Sequence, residues 1–267
     1  MERPSWAPQD IDLARPSASR IYDYYLGGSH NFEADRVAAR QAVELWPELP
    51  KIMQTNRAFM RRAVQYAVRS GVTQFLDIGS GIPTFGNVHE VALAASGRAR
   101  VVYVDNDPVA VAHSRALLTD EPRATVISAD LREPERITGN RELRALIDLE
   151  RPVALMLVAV LHFLVDEAKP HRIVAELRDR LAPGSLLILT HAVRDGRPES
   201  AEPLERLYSR IGSPLRIRDR GEIEAFFDGF ELVESGVVYP PLWQPDEPLP
   251  DGDPAQSSGL AGVGRKP

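Results

Sequence analysis

The stretch FLDIGSGIPTFGN, Phe75 to Asn87, constrains this chain more than any other. An apolar run stops at an acid and two closely spaced glycines, and a second apolar segment then begins. Phe75, Leu76 and Ile78 suit a strand covered on both faces, as in a parallel sheet. Gly79 and Gly81 lack the β-carbons that would hold a ligand away from the backbone. Gly86 and the amides ahead of the next helix leave N–H donors to face polar ligand groups. The segment therefore reads as a strand handing over to a helix through a loop able to hold a nucleotide. It fits the dinucleotide fingerprint G-x-G-x-x-G imperfectly, because Thr84 stands at the third glycine position. By itself a single Gly-x-Gly is weak.

Two further strand ends strengthen it. RVVYVDNDPVAVAHSRALL places an apolar strand before Asp105, and an acid at the tip of the second strand is positioned to accept both hydrogen bonds of a ribose diol. Asp107 and Pro108 follow as the N-cap and first residue of a helix. ATVISAD ends in a third acid, Asp130, at the same sheet edge. An acid–glycine turn, an acid and an acid at three consecutive strand ends describe an adenosine site.

On these segments the chain resembles the class I S-adenosylmethionine (SAM)-dependent methyltransferases. More narrowly, it is similar to the actinobacterial S-adenosyl methyltransferase family first catalogued as a domain of unknown function. That resemblance is carried, in order and across most of the chain, by SRIYDYYLGGSHNFEADR (19–36), NRAFMRRAV (56–64), FLDIGSGIPTFGNVHEVA, VVYVDNDPVAVAHSRALL and PVALMLVAVLHFL (152–164). It implies SAM as cofactor and S-adenosylhomocysteine (SAH) as its product. Asp77 is then expected near the ammonium group, with Gly79, Ser80 and Gly81 along the methionine moiety and Asp105 on the ribose hydroxyls. Asn106 is expected against the adenine face, Asp130 with the backbone of Leu131 at the adenine amino edge, and Val158 and Ala159 where the fourth strand exposes the methyl group. Arg57 is expected to reach the cofactor carboxylate as a fork of donors.

For the acceptor, the Asn/Asp-Pro-Pro-Tyr motif of many amino-group methyltransferases acting on bases and proteins is absent, and Leu161-His162-Phe163 stands in its place. This points to a small molecule bearing a hydroxyl or an amine. His162 is the candidate general base, its ordinary pKa leaving a neutral imidazole available at pH 7; a histidine that shapes the strand end is the alternative, and more so for His191. Tyr22, Tyr25, Gly28, Asn31 and Phe32 are read as a lid walling the acceptor pocket, because tyrosines bring rigid surface with a polar tip and Gly27-Gly28 lets backbone turn near a ligand. Core packing of those rings is the alternative. A non-catalytic SAM- or SAH-binding sensor is the second functional reading. A nicotinamide-dependent oxidoreductase is disfavoured by Thr84 and by acids at both the second and third strand tips.

A chain of 267 residues, 43% hydrophobic, accommodates one such domain plus an addition. The expected fold is α/β: a doubly wound, Rossmann-like sheet of seven strands, the last antiparallel, with an N-terminal helical cap over 1–71 and the cofactor domain over 72–267. Cap helices are expected from Ser19 to Gly27, 33–45 and about 50–69, preceded by a polar, proline-rich segment draped on the surface. Strands follow at 74–78, 100–105, 124–128, 153–159 and 185–191, with helices at 87–96, 108–119, about 140–149 and 167–181. FELVESGVVYPPLW reads as a sixth strand broken near Gly236. By the resemblance Leu260 to Arg265 returns as the seventh strand after a proline-rich hairpin loop, a frayed tail being the alternative. With no cysteine and six histidines lacking H-E-x-x-H spacing, neither disulfides nor a metal is expected. A net charge of −6 argues against a broad nucleic-acid surface. No apolar run reaches membrane-spanning length and the N-terminal residues lack a signal-peptide core, so a cytoplasmic location without membrane contact is expected.

Overall fold

The computed structural model describes residues 11–84, 86–195, 197–246, 248 and 253–267. The expected parallel strands are present: β1 (Gln74–Ile78), β2 (Arg100–Asp105), β3 (Ala124–Ser128), β4 (Ala154–Val158) and β5 (Leu186–Ala192). With β6 (Glu231–Leu232) and β7 (Gly259–Arg265) they form one seven-stranded sheet in the order β3-β2-β1-β4-β5-β7-β6. The β7 strand runs antiparallel beside β5, from Leu186 opposite Arg265 to Ala192 opposite Gly259. The small apolar residues of GLAGVGR thus sit inside the sheet, as the resemblance implied.

Strand alternation places apolar side chains on both faces. One face sets Leu76, Val102, Leu155 and Leu187 beneath α6 (Pro134–Thr138), α7 (Arg141–Leu146) and α8 (Pro170–Asp179). The other sets Phe75, Val101, Met156 and Ile188 against α3 (Leu49–Arg69), α4 (Val88–Ala95) and α5 (Pro108–Leu117). The helix α3 carries Pro50 in its first turn, buries Phe59, Met60, Ala63, Val64 and Ala67 on one stripe, and ends before Gly71. It is therefore a layer of the sheet. The remaining N-terminal helices, α1 (Ala18–Tyr25) and α2 (Glu33–Leu45), pack instead on α9 (Pro198–Arg210), joining Ile21, Tyr25, Ala39 and Ala42 to Ala201, Leu204 and Tyr208. The cap is drawn from two distant parts of the chain, and α3 joins it to the sheet, its first turns packing with the cap through Leu49, Ile52 and Met53 and its later ones with the sheet.

Three elements differ from expectation for local reasons. The helix expected over about 140–149 is the shorter α7, which starts where Asn140 caps it by accepting from the N–H groups of Glu142 and Leu143, and the unexpected α6 precedes it. The helix expected from 167 begins at Pro170, after Lys169 takes a left-handed backbone at φ 53°. The sixth strand shrinks to two residues and a bridge between Val238 and Ala261, since Pro240-Pro241 turns the chain into a short 3-10 helix and offers no ladder donors. Of the proline-rich loop before β7, residues 247 and 249–252 lie outside the described residues, as does Trp6 of the N-terminal segment expected to drape on the surface.

Candidate functional site

Parallel strands deliver their carboxyl ends to one sheet edge, and there a cleft of about 720 Å³ opens. Every residue expected to hold the cofactor lines it: Asp77, Gly79, Ser80, Gly81, Asp105, Asn106, Asp130, Leu131, Val158, Ala159 and Arg57. The glycine loop is tethered to β2, the N–H groups of Gly79 and Ser80 both donating to the Val104 carbonyl, at 2.8 and 3.2 Å. Gly79 has φ 76°, and a β-carbon on it would stand 2.4 Å from Cγ2 of Val160. The missing side chain thus clears the segment after β4, where the sequence suggested that it clears a ligand. At Gly81 a β-carbon would meet nothing within 4 Å, so this glycine leaves open space at the cleft.

The acids differ in their surroundings. Asp105 is 4% exposed, and its carboxylate accepts from the Gly81 N–H at 2.7 Å and the Asp107 N–H at 2.8 Å. Burial pushes its pKa up to about 6, against those two bonds. Asp77 is buried too, and its side-chain carboxylate accepts no hydrogen bond among the described residues; burial pushes it up to about 7, although the Arg57 guanidinium pulls the other way. Arg57 itself donates to the Gly86 carbonyl at 3.1 Å. A buried carboxylate left without donors beside a cleft suits a cationic ligand group, which would restore the charged form. Asp130 is the opposite case: the Arg132 side chain and N–H hold it, and its pKa falls to about 2. Any group it receives at the third strand tip shares it with Arg132 and with Asn106, whose Nδ2 lies 3.3 Å away.

His162 is not among the residues lining the cleft. It is half-buried, its Nδ1 sealed without a hydrogen bond, and burial with the nearby Arg218 charge lowers it to about 3. The backbone turns it away: its carbonyl accepts from the Arg216 N–H at 2.8 Å, and its ring packs on His191 at 5.4 Å. Nor does His191 face the cleft; it accepts at Nε2 from the buried Arg218, at 3.0 Å. The geometry gives neither imidazole access to an acceptor.

Of the expected lid, only Tyr22 lines the cleft. Tyr25 points into the cap core, its hydroxyl 3.2 Å from that of Tyr208. Gly28 is small because a β-carbon would lie 2.0 Å from Asp23 Oδ1, and Asn31 donates to Asp23 Oδ2 at 2.8 Å. These two build the α1–α2 corner. Phe32 is buried under the Arg20 guanidinium, which sits 5.3 Å from the ring and 3.5 Å from both Asp35 and Asp107. This corner is core and not a lid, as aromatic rings at helical spacing usually are.

The wall comes instead from Ile11 to Arg20, facing the strand ends, and from Phe163, Leu164, Val165, Ser213 and Pro214. Sequence reasoning missed both parts. A signal existed for the first: Ile11 and Leu13, the apolar residues of that polar stretch, pack on Phe32, Ile82, Val109 and Ala110 beside the glycine loop. None existed for Ser213 and Pro214, which only tertiary folding brings to the cleft.

A family model described as S-adenosyl methyltransferase matches residues 4–267. Two crystal structures are similar over nearly the whole length. A candidate methyltransferase from Thermobifida fusca YX is 44% identical with a TM-score of 0.93, covering 98% of this chain and 99% of that one. A DUF574 family protein from Streptomyces avermitilis MA-4680 is 40% identical with a TM-score of 0.92, covering 96% and 99%. An O-methyltransferase family protein from Burkholderia thailandensis, 11% identical with a TM-score of 0.53 over 95% of this chain and 64% of that one, shares the fold alone. No curated protein matches the chain. Because the family match runs unbroken through wall, cap, glycine loop and β7, the chain belongs to the S-adenosyl methyltransferase family and is a SAM-dependent methyltransferase.

Proposed function

We propose that this enzyme methylates a hydroxyl or amine of a small-molecule acceptor inside the cleft, in the cytoplasm. The observation that carries the reading is the cleft's lining: the Asp77 carboxylate, without a hydrogen-bond donor among the described residues, and the open space at Gly81 share one cavity with the apolar Met60, Val160, Phe163 and Leu164. The polar residues fit SAM. Asp77 would take its ammonium group, Arg57 its carboxylate and Asp105 its ribose hydroxyls, with Asn106, Asp130 and Leu131 around the adenine. Bound there, SAM supplies a methyl group on a positively charged sulfur. The chain's own part is positioning and the exclusion of water by the wall from Ile11 to Arg20, which is where such a transfer gains most. His162 has no role in this reading. Among the described residues no helix is long and apolar enough to cross a membrane.

Differential stabilisation tests the cofactor assignment. SAH at saturating concentration should raise Tm more than NAD does, by the usual linkage of ligand binding to folding; a larger shift with NAD would reverse the ranking. Formation of SAH over a library of small phenols, alcohols and amines then separates an enzyme with a small acceptor from a cofactor-binding sensor, for which binding persists without turnover on any of them.

A further inference from the structure

One directed chain of hydrogen bonds runs beside the cleft, which Tyr22, Asn56 and Ala159 line, and has no part in the reading above. The Ala159 N–H donates to Thr190 Oγ1 at 2.9 Å, Thr190 Oγ1–H donates to Asn56 Oδ1 at 2.7 Å, and Asn56 Nδ2–H donates to the Tyr22 hydroxyl at 2.9 Å. The Tyr22 O–H points to the Met53 carbonyl at 3.4 Å. With Oδ1 of Asn56 toward Thr190 and its Nδ2 toward Tyr22, each member donates to the next. Four elements supply the members: the end of β4, β5, α3 and α1. Thr190 and Asn56 are buried, and Ala159 is held at φ 56°, a left-handed backbone that a non-glycine residue keeps only under local constraint.

Counting lone pairs on Tyr22 gives the consequence. A phenol has one proton and two acceptor sites. Its proton is directed at Met53, one acceptor site is filled by Asn56, and one acceptor site remains, on a residue that lines the cleft. We infer that Tyr22 recognises the methyl acceptor by accepting a hydrogen bond from its N–H or O–H, with Asn56 and Thr190 as positioning residues that keep the phenol from acting as a donor. Burial raises the pKa of Tyr22, so the hydroxyl stays neutral at working pH and is a recognition group, not a base. The substrate class narrows accordingly: a small molecule with a largely apolar body, to lie against Phe163, Leu164 and Val165, carrying at least one N–H or O–H. Ethers, unprotonated tertiary amines and molecules whose only polar group is a carboxylate are excluded.

The inference rests on the proposed small-molecule acceptor site, and the test separates the two. SAH binding to the wild-type protein is measured first by calorimetry; its absence removes the proposed site and this inference with it. On the SAH-saturated protein, dissociation constants are then measured by ligand-observed NMR for phenol and aniline against anisole and N,N-dimethylaniline. The donor-bearing probes should bind about tenfold more tightly, the worth of one hydrogen bond to a buried acceptor. Tyr22→Phe should reduce that ratio to within about twofold and leave SAH affinity unchanged. Thr190→Val frees the Asn56 amide to turn over and should also collapse the ratio, an effect that a merely structural threonine would not produce; it also carries the test if Tyr22→Phe fails to fold. If SAH binds but no donor probe saturates, or the wild type shows no preference, or either variant retains it, Tyr22 is not the recognition residue.

Discussion

Burial favours the protonated form of Asp77, with the Arg57 guanidinium pulling the other way. Its pKa rises from 3.8 to about 7 on folding, so between those values the native state keeps a proton that the unfolded chain has lost. Its contribution to stability is therefore fully present below about pH 4 and lost as pH rises towards 7. His162, lowered to about 3, works in the opposite direction, its contribution growing as pH rises to 6.5. The wild-type profile alone mixes the two, and Asp77→Asn isolates the carboxylate. Relative to wild type, this variant should gain stability steadily from pH 4 to 7.5 in urea denaturation while binding SAH about tenfold to a hundredfold more weakly. A stability difference that does not change with pH would show that Asp77 stays ionised. Asp105→Ala should weaken SAH by a similar factor in calorimetry, since it removes acceptors for a diol and frees the N–H groups of Gly81 and Asp107. Both acids were legible in the sequence because an acid ending an apolar strand has few structural uses. The contact between Gly79 and Val160 was not, because the partner lies more than eighty residues away.

At the level of elements, strands and helices followed hydrophobic period and caps closely, and the errors fell where a cap or a proline intervenes, as at Asn140 and Pro170. What the elements pack against was harder to read: α1 and α2 carry apolar stripes that say nothing of α9. Two predictions follow from that packing. Gly79→Ala should lower Tm, because a left-handed backbone costs an L-residue about 1–2 kcal/mol and the new β-carbon meets Val160. Adding Val160→Ala should recover part of the loss, and no recovery would mean that backbone strain alone is responsible. Tyr25→Phe should cost about 1–3 kcal/mol in chemical denaturation by leaving the buried Tyr208 hydroxyl short of a partner. SAH affinity and turnover should not change; a kinetic defect at unchanged stability would return Tyr25 to the acceptor wall.

Across the whole molecule, the fold class was readable because three strand ends and a glycine loop must meet at one edge of a parallel sheet, whereas the enclosure of the site was hidden in a stretch whose composition resembles a linker. Removing residues 1–32 would strip α1 from the cap core, so the informative truncation is shorter. Deleting residues 1–16 keeps α1 and should raise the SAH dissociation constant by about tenfold with the cooperative unfolding transition preserved. Unchanged affinity in calorimetry would show that Ile11 to Pro16 does not close the site. The position of β7 has a consequence for biogenesis. The β5 strand is bordered by β4 on one side and by β7 on the other, and β6 pairs with β7 alone in the ladder. On the ribosome, β1 to β5 can assemble while residues 259–265 are still unmade, leaving the buried, mostly aliphatic strand Leu186–Ala192 as a temporary edge of the kind that recruits strands from other chains. A nascent chain whose last strand has yet to emerge would carry that edge uncovered, and pairing of residues 259–265 along it removes the hazard.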